Sequence, residues 1–315
     1  MKVGVWGAGS IGAGLAYRLT TLPVVSELVW INRTIQKIEK QVIDLTHGLS
    51  FAPTCHTVRA CEQAHAAREM PTLDLLVLTL GASVKEGETR DQKYPVNAGM
   101  LRESVLPALQ AGFKGIILVI TNPVDLVARL VHVEGGVAAD KVLGLGTVVE
   151  TARLRSSLAS YLSPRRAPRD VRAYAVGTHD PQFVPIVNGE VAAGDNTPGE
   201  VLEGIVECAR REVANGAERV KTGERSSLHP IVEGAVEVIE AIGLNKRSAL
   251  TVSVLDPDSG EDKLFYSMPC TVGRDGNLRR FDDILGDSAV RDQISRCCDS
   301  LRAVLQAADE LPRVT

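Results

Sequence analysis

Three glycines near the start of the chain, Gly7, Gly9 and Gly12, have the spacing Gly-x-Gly-x-x-Gly. A turn of this kind joins a buried strand to a helix and lets the pyrophosphate of a dinucleotide approach the N–H groups at the helix N-terminus. Gly7 permits the tight turn, Gly9 admits the phosphates, and Gly12 allows the helix to pack on the strand. An apolar run precedes the turn, and a second, 28–31, follows about 20 residues later. The glycines and their context predict a dinucleotide-binding site.

The end of the second predicted strand indicates which dinucleotide is bound. Sites for NAD usually carry Asp or Glu there, which binds the ribose 2′-hydroxyl, but no carboxylate lies between Leu28 and Ile38. Asn32 is neutral, and Arg33 and Lys37 are cations suited to a 2′-phosphate. We therefore predict NADP as the cofactor. NAD is the alternative, in which Asn32 binds the ribose and Arg33 faces solvent.

Strands and helices alternate through the first half of the chain, which is typical of a parallel, doubly wound α/β sheet. A third strand is predicted at 75–80 and ends at Gly81, where the chain should cross beneath the cofactor. The polar segment 83–90 follows at the sheet edge where ligands bind in such folds. A further strand is predicted at 116–120.

The pattern changes beyond Gly146, where helical stretches alternate with short strand-like runs. The helical stretches are 151–162, 198–214, 231–242 and 287–308, and the strand-like runs are 171–176 and 249–255. We predict a Rossmann domain over residues 1–145, followed by an α+β substrate domain over residues 146–315.

Composition excludes several classes of protein. A net charge of −4 argues against nucleic-acid binding, and no apolar segment is long enough to span a membrane. The N-terminus lacks the layout of a signal peptide, so a cytoplasmic location is expected. The six cysteines show no metal-ligand spacing, and no metal site is predicted.

Further short motifs follow the glycine turn in a defined order. They are 44–48 (Asp-Leu-Thr-His-Gly), 87–90 (Gly-Glu-Thr-Arg), 121–125 (Thr-Asn-Pro-Val-Asp), 144–147 (Gly-Leu-Gly-Thr), 152–155 (Ala-Arg-Leu-Arg) and 177–179 (Gly-Thr-His). In this order they resemble the L-lactate/L-malate dehydrogenase family over nearly the whole chain. The resemblance implies reversible hydride transfer between a nicotinamide and a 2-oxo or 2-hydroxy acid, in a homodimer or homotetramer.

The resemblance also implies a role for each polar residue of the predicted site. His179 would exchange the substrate proton, Glu150 would orient that histidine, and Arg90 would polarise the carbonyl group. Arg153 would hold the substrate carboxylate through two parallel hydrogen bonds. Asn122 would hydrogen-bond the carbonyl and the nicotinamide side of the cofactor.

Additional contacts are carried over from the same family. Those to the substrate are Val84 and the hydroxyl of either Ser226 or Ser227, both of which fall near the Thr or Ser of the family's substrate pocket. The residues predicted to contact the cofactor are Gly7, Gly9, Ser10, Ile11, Gly12, Asn32, Arg33, Gly81, Asn97 and Asn122.

Three positions depart from the family pattern. Glu150 replaces an aspartate and is one methylene longer, and Asp180-Pro181-Gln182 replaces Gly-Asp-Ser. Val84 stands where lactate enzymes have Gln and malate enzymes have Arg. A second substrate carboxylate buried against valine would be unpaired, which favours a 2-oxo acid with an apolar or bulkier side chain. The neighbouring Lys85 keeps a dianionic substrate as an alternative.

Two other functions remain open. One is an NAD-dependent lactate or malate dehydrogenase with a divergent pocket. The other is a non-catalytic nucleotide-binding relative, against which the joint retention of Arg90, Asn122, Arg153 and His179 argues.

Overall fold

A computed structural model describes residues 1–82, 91–161, 167–179, 182–187, 199–219, 227–286 and 288–309. The strands are β1 (Lys2–Trp6), β2 (Glu27–Asn32), β3 (Thr57–Glu62), β4 (Leu75–Leu78), β5 (Ile116–Val119), β6 (Val142–Gly144), β7 (Ala173–Val176), β8 (Val184–Val187), β9 (Ser248–Leu255), β10 (Phe265–Gly273) and β11 (Gly276–Arg280). The α-helices are α1 (Ser10–Thr20), α2 (Gln36–Gly48), α3 (Tyr94–Met100), α4 (Leu106–Leu109), α5 (Val124–Val133), α6 (Val148–Tyr161), α7 (Gly199–Arg219), α8 (His229–Gly243) and α9 (Ser288–Asp309).

Shorter helical segments connect these elements. A π-helix, Leu101–Val105, joins α3 to α4. The 3₁₀ turns are Leu49–Phe51, Gln63–Arg68, Met70–Thr72, Asp91–Lys93, Ala139–Lys141, Pro168–Asp170, Pro257–Asp262 and Asp282–Leu285.

One large sheet organises the described residues. Six parallel strands run in the order β3-β2-β1-β4-β5-β6, which is the Rossmann order. Three antiparallel strands, β9, β10 and β11, extend the sheet beyond β6, to which β9 is joined by the pair Gly144 and Ser253. β7 and β8 form a separate antiparallel pair. The predicted doubly wound α/β fold class is thereby confirmed.

The strand β3 escaped the sequence prediction, which took 75–80 as the third strand. That run is β4, the fourth strand, and it ends at Leu78. β3 lies at the sheet edge and pairs only with β2, so it lacks the continuous apolar run that marks a strand buried on both faces. Of its six residues only Val58 and Cys61 are buried.

The main hydrophobic core joins residues from both halves of the chain, from Val5 and Leu76 to Phe265. A smaller core lies between α6, β7 and α7, and includes Leu154 and Ala209. Within the part of the chain that the structure describes, no helix combines the length and apolar character needed to cross a membrane.

Candidate active site

The glycine turn at the end of β1 has the geometry that its spacing predicted. Gly7 has a φ of +129°, and a Cβ there would lie 2.6 Å from Thr79 Oγ1. A Cβ on Gly12 would lie 2.3 Å from the carbonyl oxygen of Gly7, so helix α1 packs on the turn only because Gly12 has no side chain. A Cβ on Gly9 would meet nothing within 4 Å. Gly9 therefore leaves open the approach to the N-terminus of α1.

A cleft of about 330 Å³ opens beside this turn and receives five residues predicted to contact the cofactor: Gly7, Gly9, Asn32, Arg33 and Gly81. Ser10 and Ile11 are the first two residues of α1, and the N–H of Ala13 closes its first turn on the carbonyl oxygen of Gly9 at 2.9 Å. No acidic residue occupies this first turn, so nothing there opposes a phosphate at the positive end of the helix dipole.

Part of the cleft lining consists of residues that sequence reasoning missed. Met100, Glu103 and Ser104 line the same cleft as Arg33 and Lys37, from the end of α3 and from the π-helix. The sequence carries no signal for this part of the lining, because the face that a helix turns toward a cleft depends on how it packs.

Asn97 acts on the backbone of the loops at this edge of the sheet. Its side-chain Oδ1 accepts a hydrogen bond from the N–H of Ala82 at 2.8 Å, and its Nδ2 donates to the carbonyl oxygen of Asn122 at 2.6 Å. Only 2% of Asn97 is exposed. The side chain thus ties the loop after β4 to the loop after β5, which gives it a positioning role in addition to the predicted cofactor contact.

The amide of Asn32 is engaged within its own turn. Its Nδ2 donates to the carbonyl oxygen of Thr34 at 2.8 Å. In the parallel pairing of β2 with β3, Asn32 stands opposite Glu62. A carboxylate is thus present at this edge, one strand away from the position at which an NAD site usually has one.

The substrate side of the site is centred on Glu150, which lies in the first turn of α6. Its Oε2 is 2.8 Å from Nδ1 of His179, and its Oε1 is 3.3 Å from Nη1 of Arg153. Nη2 of Arg153 donates to Oγ of Ser227 at 3.2 Å. The structure therefore brings together four of the predicted catalytic and substrate-binding residues. Glu150 and Arg153 meet because they are three positions apart on one helix.

Buried polar residues support the loop that carries His179. The carboxylate of Asp125, in the first turn of α5, accepts a hydrogen bond from the backbone N–H of His179 at 3.2 Å. On the other side, Ser267 of β10 exchanges two backbone hydrogen bonds with Gly177. Sequence reasoning assigned no function to Asp125, although it ends the motif at 121–125 and is 4% exposed.

Arg155 is distinguished from Arg153 by its partners. It donates from Nε to the carbonyl oxygen of Ala173 at 2.9 Å and lies over the ring of Tyr174. This arginine anchors β7, whereas Arg153 faces Glu150 and Ser227.

Several predicted residues lie outside the described residues: Val84, Lys85, Arg90, Asp180, Pro181 and Ser226. Across the described ranges, no group of three or more His, Cys, Asp or Glu side chains has the arrangement of a metal site.

Comparisons with known proteins show what the sequence and the fold are similar to. Residues 1–144 match the family model described as lactate/malate dehydrogenase, NAD binding domain. The chain is 29% identical over 317 residues to an L-lactate dehydrogenase of Geobacillus kaustophilus, with 96% of each chain covered. It is 26% identical over 308 residues to that of Halalkalibacterium halodurans, covering 98% of this chain and 97% of the other.

Solved structures extend the similarity to the whole fold. A lactate dehydrogenase from a Medee basin deep-sea metagenome library superposes with a TM-score of 0.85 at 29% identity, covering 98% of each chain. The match of residues 1–144 and the near full-length similarity support membership of the chain in the lactate/malate dehydrogenase family. The minor L-lactate dehydrogenase from Enterococcus mundtii superposes with a TM-score of 0.83 at 26% identity, covering 97% of this chain and 98% of the other. The same similarity supports assignment of the chain to the oxidoreductases, in the 2-hydroxy acid dehydrogenase class.

Burial and neighbouring positive charges have opposing effects on the pKa of Glu150. Burial acts to raise the pKa of Glu150, but the positive charge and hydrogen bond of His179 and the charge of Arg153 outweigh it, so the pKa is lowered. The folded protein therefore holds Glu150 as an anion, and its carboxylate is available to stabilise a protonated His179.

Acidification should remove the stabilisation that Glu150 provides. Because the pKa is lowered from its ordinary value of 4.5, the contribution is complete above pH 4.5 and is lost as the pH falls through the folded-state value. Urea unfolding of wild type and Glu150→Gln should show a difference in free energy of about 1–3 kcal/mol near neutral pH. That difference in free energy should narrow as the pH falls below 4.5. A difference that widens on acidification would contradict this sign.

The two glycines beside the cleft should respond differently to alanine. Gly9→Ala should fold normally, because its Cβ meets nothing, but should weaken dinucleotide binding roughly tenfold to hundredfold. Gly12→Ala should lower the free energy of unfolding by about 3 kcal/mol, because its Cβ collides with the carbonyl oxygen of Gly7. Calorimetric titration with the cofactor and urea unfolding of both variants check this contrast. Equal losses of stability in the two variants would contradict it.

Proposed function

We propose that the chain is an NAD(P)-dependent reductase of 2-oxo acids, and that in the reverse direction it oxidises 2-hydroxy acids. The observation that carries the proposal is the bridging carboxylate of Glu150, which contacts His179 through one oxygen and Arg153 through the other. A proton donor and a guanidinium group are thereby held beside each other. A 2-oxo acid presents a ketone oxygen to the first and a carboxylate to the second.

The residues of the cleft fit a dinucleotide, because Gly9 leaves the N-terminus of α1 open and that first turn has no acidic side chain. A nicotinamide bound there would supply the hydride that reduction of a ketone requires. The proton comes from His179. Because its Nδ1 faces the carboxylate of Glu150, that nitrogen carries a hydrogen, and Nε2 is the nitrogen that delivers the proton.

Arg153 keeps free hydrogens for the substrate. Each of its two terminal nitrogens bears two hydrogens, and the contacts with Glu150 and Ser227 use one on each. The remaining pair is suited to a carboxylate in a bidentate geometry. In this proposal Arg90 polarises the ketone, and Asn122 hydrogen-bonds the substrate carbonyl and the nicotinamide side of the cofactor.

The specificity that we propose rests on two further positions. Arg33 and Lys37 line the cofactor cleft and favour NADPH over NADH. Val84 favours a 2-oxo acid with an apolar or bulky side chain over one with a second carboxylate. Substrate contact by Ser226 or Ser227 completes the pocket, and Oγ of Ser227 accepts a hydrogen bond from Nη2 of Arg153.

We propose that the chain assembles at least as a homodimer, with a homotetramer as the alternative. The segment formed by α2 and the turn after it exposes apolar side chains: Ile43 is 57% exposed and Phe51 is 92% exposed. Their burial against a second copy would be favourable. The division into a cofactor domain, 1–145, and a substrate domain, 146–315, is also a proposal.

Initial rates test the proposed function. The purified chain is assayed with NADPH and with NADH against pyruvate, branched and aromatic 2-oxo acids, and oxaloacetate. We expect turnover with NADPH and an apolar or bulky 2-oxo acid. No turnover with any pair would contradict the proposal and favour a non-catalytic nucleotide-binding relative.

A second candidate is an NAD-dependent L-lactate dehydrogenase. It is favoured by the near full-length similarity to proteins that bear that name, at 26–29% identity. Preference for NADH and pyruvate in the same assay would support this candidate and contradict the proposed NADPH preference. Preference for oxaloacetate would contradict the specificity proposed from Val84.

A further inference from the structure

We infer that two carboxylates, Glu103 and Glu62, oppose a 2′-phosphate in the cofactor cleft. Cofactor preference would then be set by these carboxylates as well as by Arg33 and Lys37. The inference rests on the proposed dinucleotide site, but it is independent of the identity of the substrate.

Glu103 is the first of these two carboxylates. It lies on the π-helix between α3 and α4 and lines the same cleft as Arg33 and Lys37. Among the described residues that line this cleft, it is the one carboxylate. Glu103 is solvent-exposed, as are Arg33 and Lys37, so a bound dinucleotide can reach all three.

Glu62 is the second carboxylate, and it lies at the end of β3. An adjoining cavity of about 430 Å³ shares Arg33, Gln63, Glu103 and Ser104 with the cleft, and Glu62 lines it. The end of β3 thus supplies a carboxylate beside Arg33, in register with the position where β2 has an amide. Two carboxylates, Glu62 and Glu103, thus line the adjoining cavity together with the guanidinium of Arg33.

The charged side chains that line these two cavities have no fixed partners among the described residues. Arg33, Lys37, Glu62 and Glu103 form no ion pair or side-chain hydrogen bond with one another or with other described residues. Their charges therefore act on whatever binds there.

A 2′-phosphate would interact with both the two cations and the two carboxylates, because it carries between about one and a half and two negative charges. Arg33 and Lys37 attract it, and Glu62 and Glu103 repel it. A 2′-hydroxyl is neutral and is affected much less, and it can donate a hydrogen bond to either carboxylate. Removing a carboxylate should therefore favour the phosphorylated dinucleotide selectively.

Tryptophan fluorescence provides a readout that does not depend on turnover. The chain has two tryptophans. Trp6 lines the cleft, and Trp30 donates from Nε1 to the carbonyl oxygen of Gly7 in the glycine turn. Titration with adenosine 2′,5′-bisphosphate and with 5′-AMP gives two dissociation constants for the adenosine end of the site. Their ratio isolates the effect of the 2′-phosphate.

Glu103→Gln should change that ratio by about three- to tenfold in favour of adenosine 2′,5′-bisphosphate, with 5′-AMP affected less than about twofold. Glu62→Gln should change it in the same direction by a smaller factor, because Glu62 lines only the adjoining cavity. Glu261→Gln is the matched control, since Glu261 is exposed and lies outside both cavities. The shifts should shrink as salt is raised, because exposed charges are screened.

The outcomes separate this inference from the proposed cofactor preference. If Glu103→Gln and Glu62→Gln change the ratio no more than Glu261→Gln does, the inference is wrong. A wild-type preference for 5′-AMP, together with the expected shift in Glu103→Gln, would refute the proposed NADPH preference and support the inference. Absence of binding by both probes would contradict both.

Discussion

Replacing His179 with asparagine should lower kcat/KM for the reduction of a 2-oxo acid by about 10²- to 10⁴-fold, which is the usual contribution of a positioned general acid. Asparagine preserves polarity and approximate size but cannot deliver a proton. Glu150 would then lose the partner that lies 2.8 Å away and would keep only Arg153. Cofactor affinity should change little, because the described lining of the cofactor cleft does not include His179.

Steady-state rates and tryptophan fluorescence check this expectation together. His65→Asn is the control, because His65 is exposed and lies on a 3₁₀ turn outside the substrate site. Turnover by His179→Asn equal to that of the control would contradict the assigned role. Loss of cofactor binding in His179→Asn would point instead to a structural role for the histidine.

Replacing Arg153 with lysine should lower kcat/KM by about 10²- to 10³-fold, chiefly through a higher KM. Lysine keeps the positive charge but cannot make two parallel hydrogen bonds to a carboxylate. It also cannot reach Glu150 and Ser227 at once in the way that the two terminal nitrogens of Arg153 do. The orientation of the carboxylate should therefore be lost while its attraction remains.

Inhibition by a substrate analogue that lacks the carboxylate shows whether the loss in Arg153→Lys depends on the substrate carboxylate. The lysine variant should bind such an analogue as the wild type does. Arg169→Lys is the control for an arginine-to-lysine change, since the side chain of Arg169 is 89% exposed. An unchanged KM in Arg153→Lys would place the carboxylate of the substrate elsewhere.

Local features of this site could be predicted from sequence, and features that depend on packing could not. The glycine turn follows from the types and spacing of residues, since Gly7 needs a positive φ and Gly12 needs close approach. The pair formed by Glu150 and Arg153 follows from helical spacing. Glu103 could not be found in this way, because its position depends on which face of the π-helix borders the cleft.

Interactions between distant segments of the chain could not be predicted from the sequence either. Asp125 supports His179 through a backbone N–H, and no side-chain pattern reveals such a contact. The same holds for Asn97, whose carboxamide ties together two loops. The predictions made for Val84 and Arg90 stand as predictions, because both lie outside the described residues.

The most direct test of the proposed activity is the fate of the transferred hydrogen. The chain is incubated with a 2-oxo acid and with NADPH or NADH that carries deuterium at both C4 positions of the nicotinamide, and the product is analysed by nuclear magnetic resonance and mass spectrometry. With the wild type we predict a 2-hydroxy acid that carries deuterium on C2, and with His179→Asn the same product formed about 10²- to 10⁴-fold more slowly. A 2-oxo acid recovered unchanged from the wild type, or a product without deuterium on C2, would contradict hydride transfer at this site.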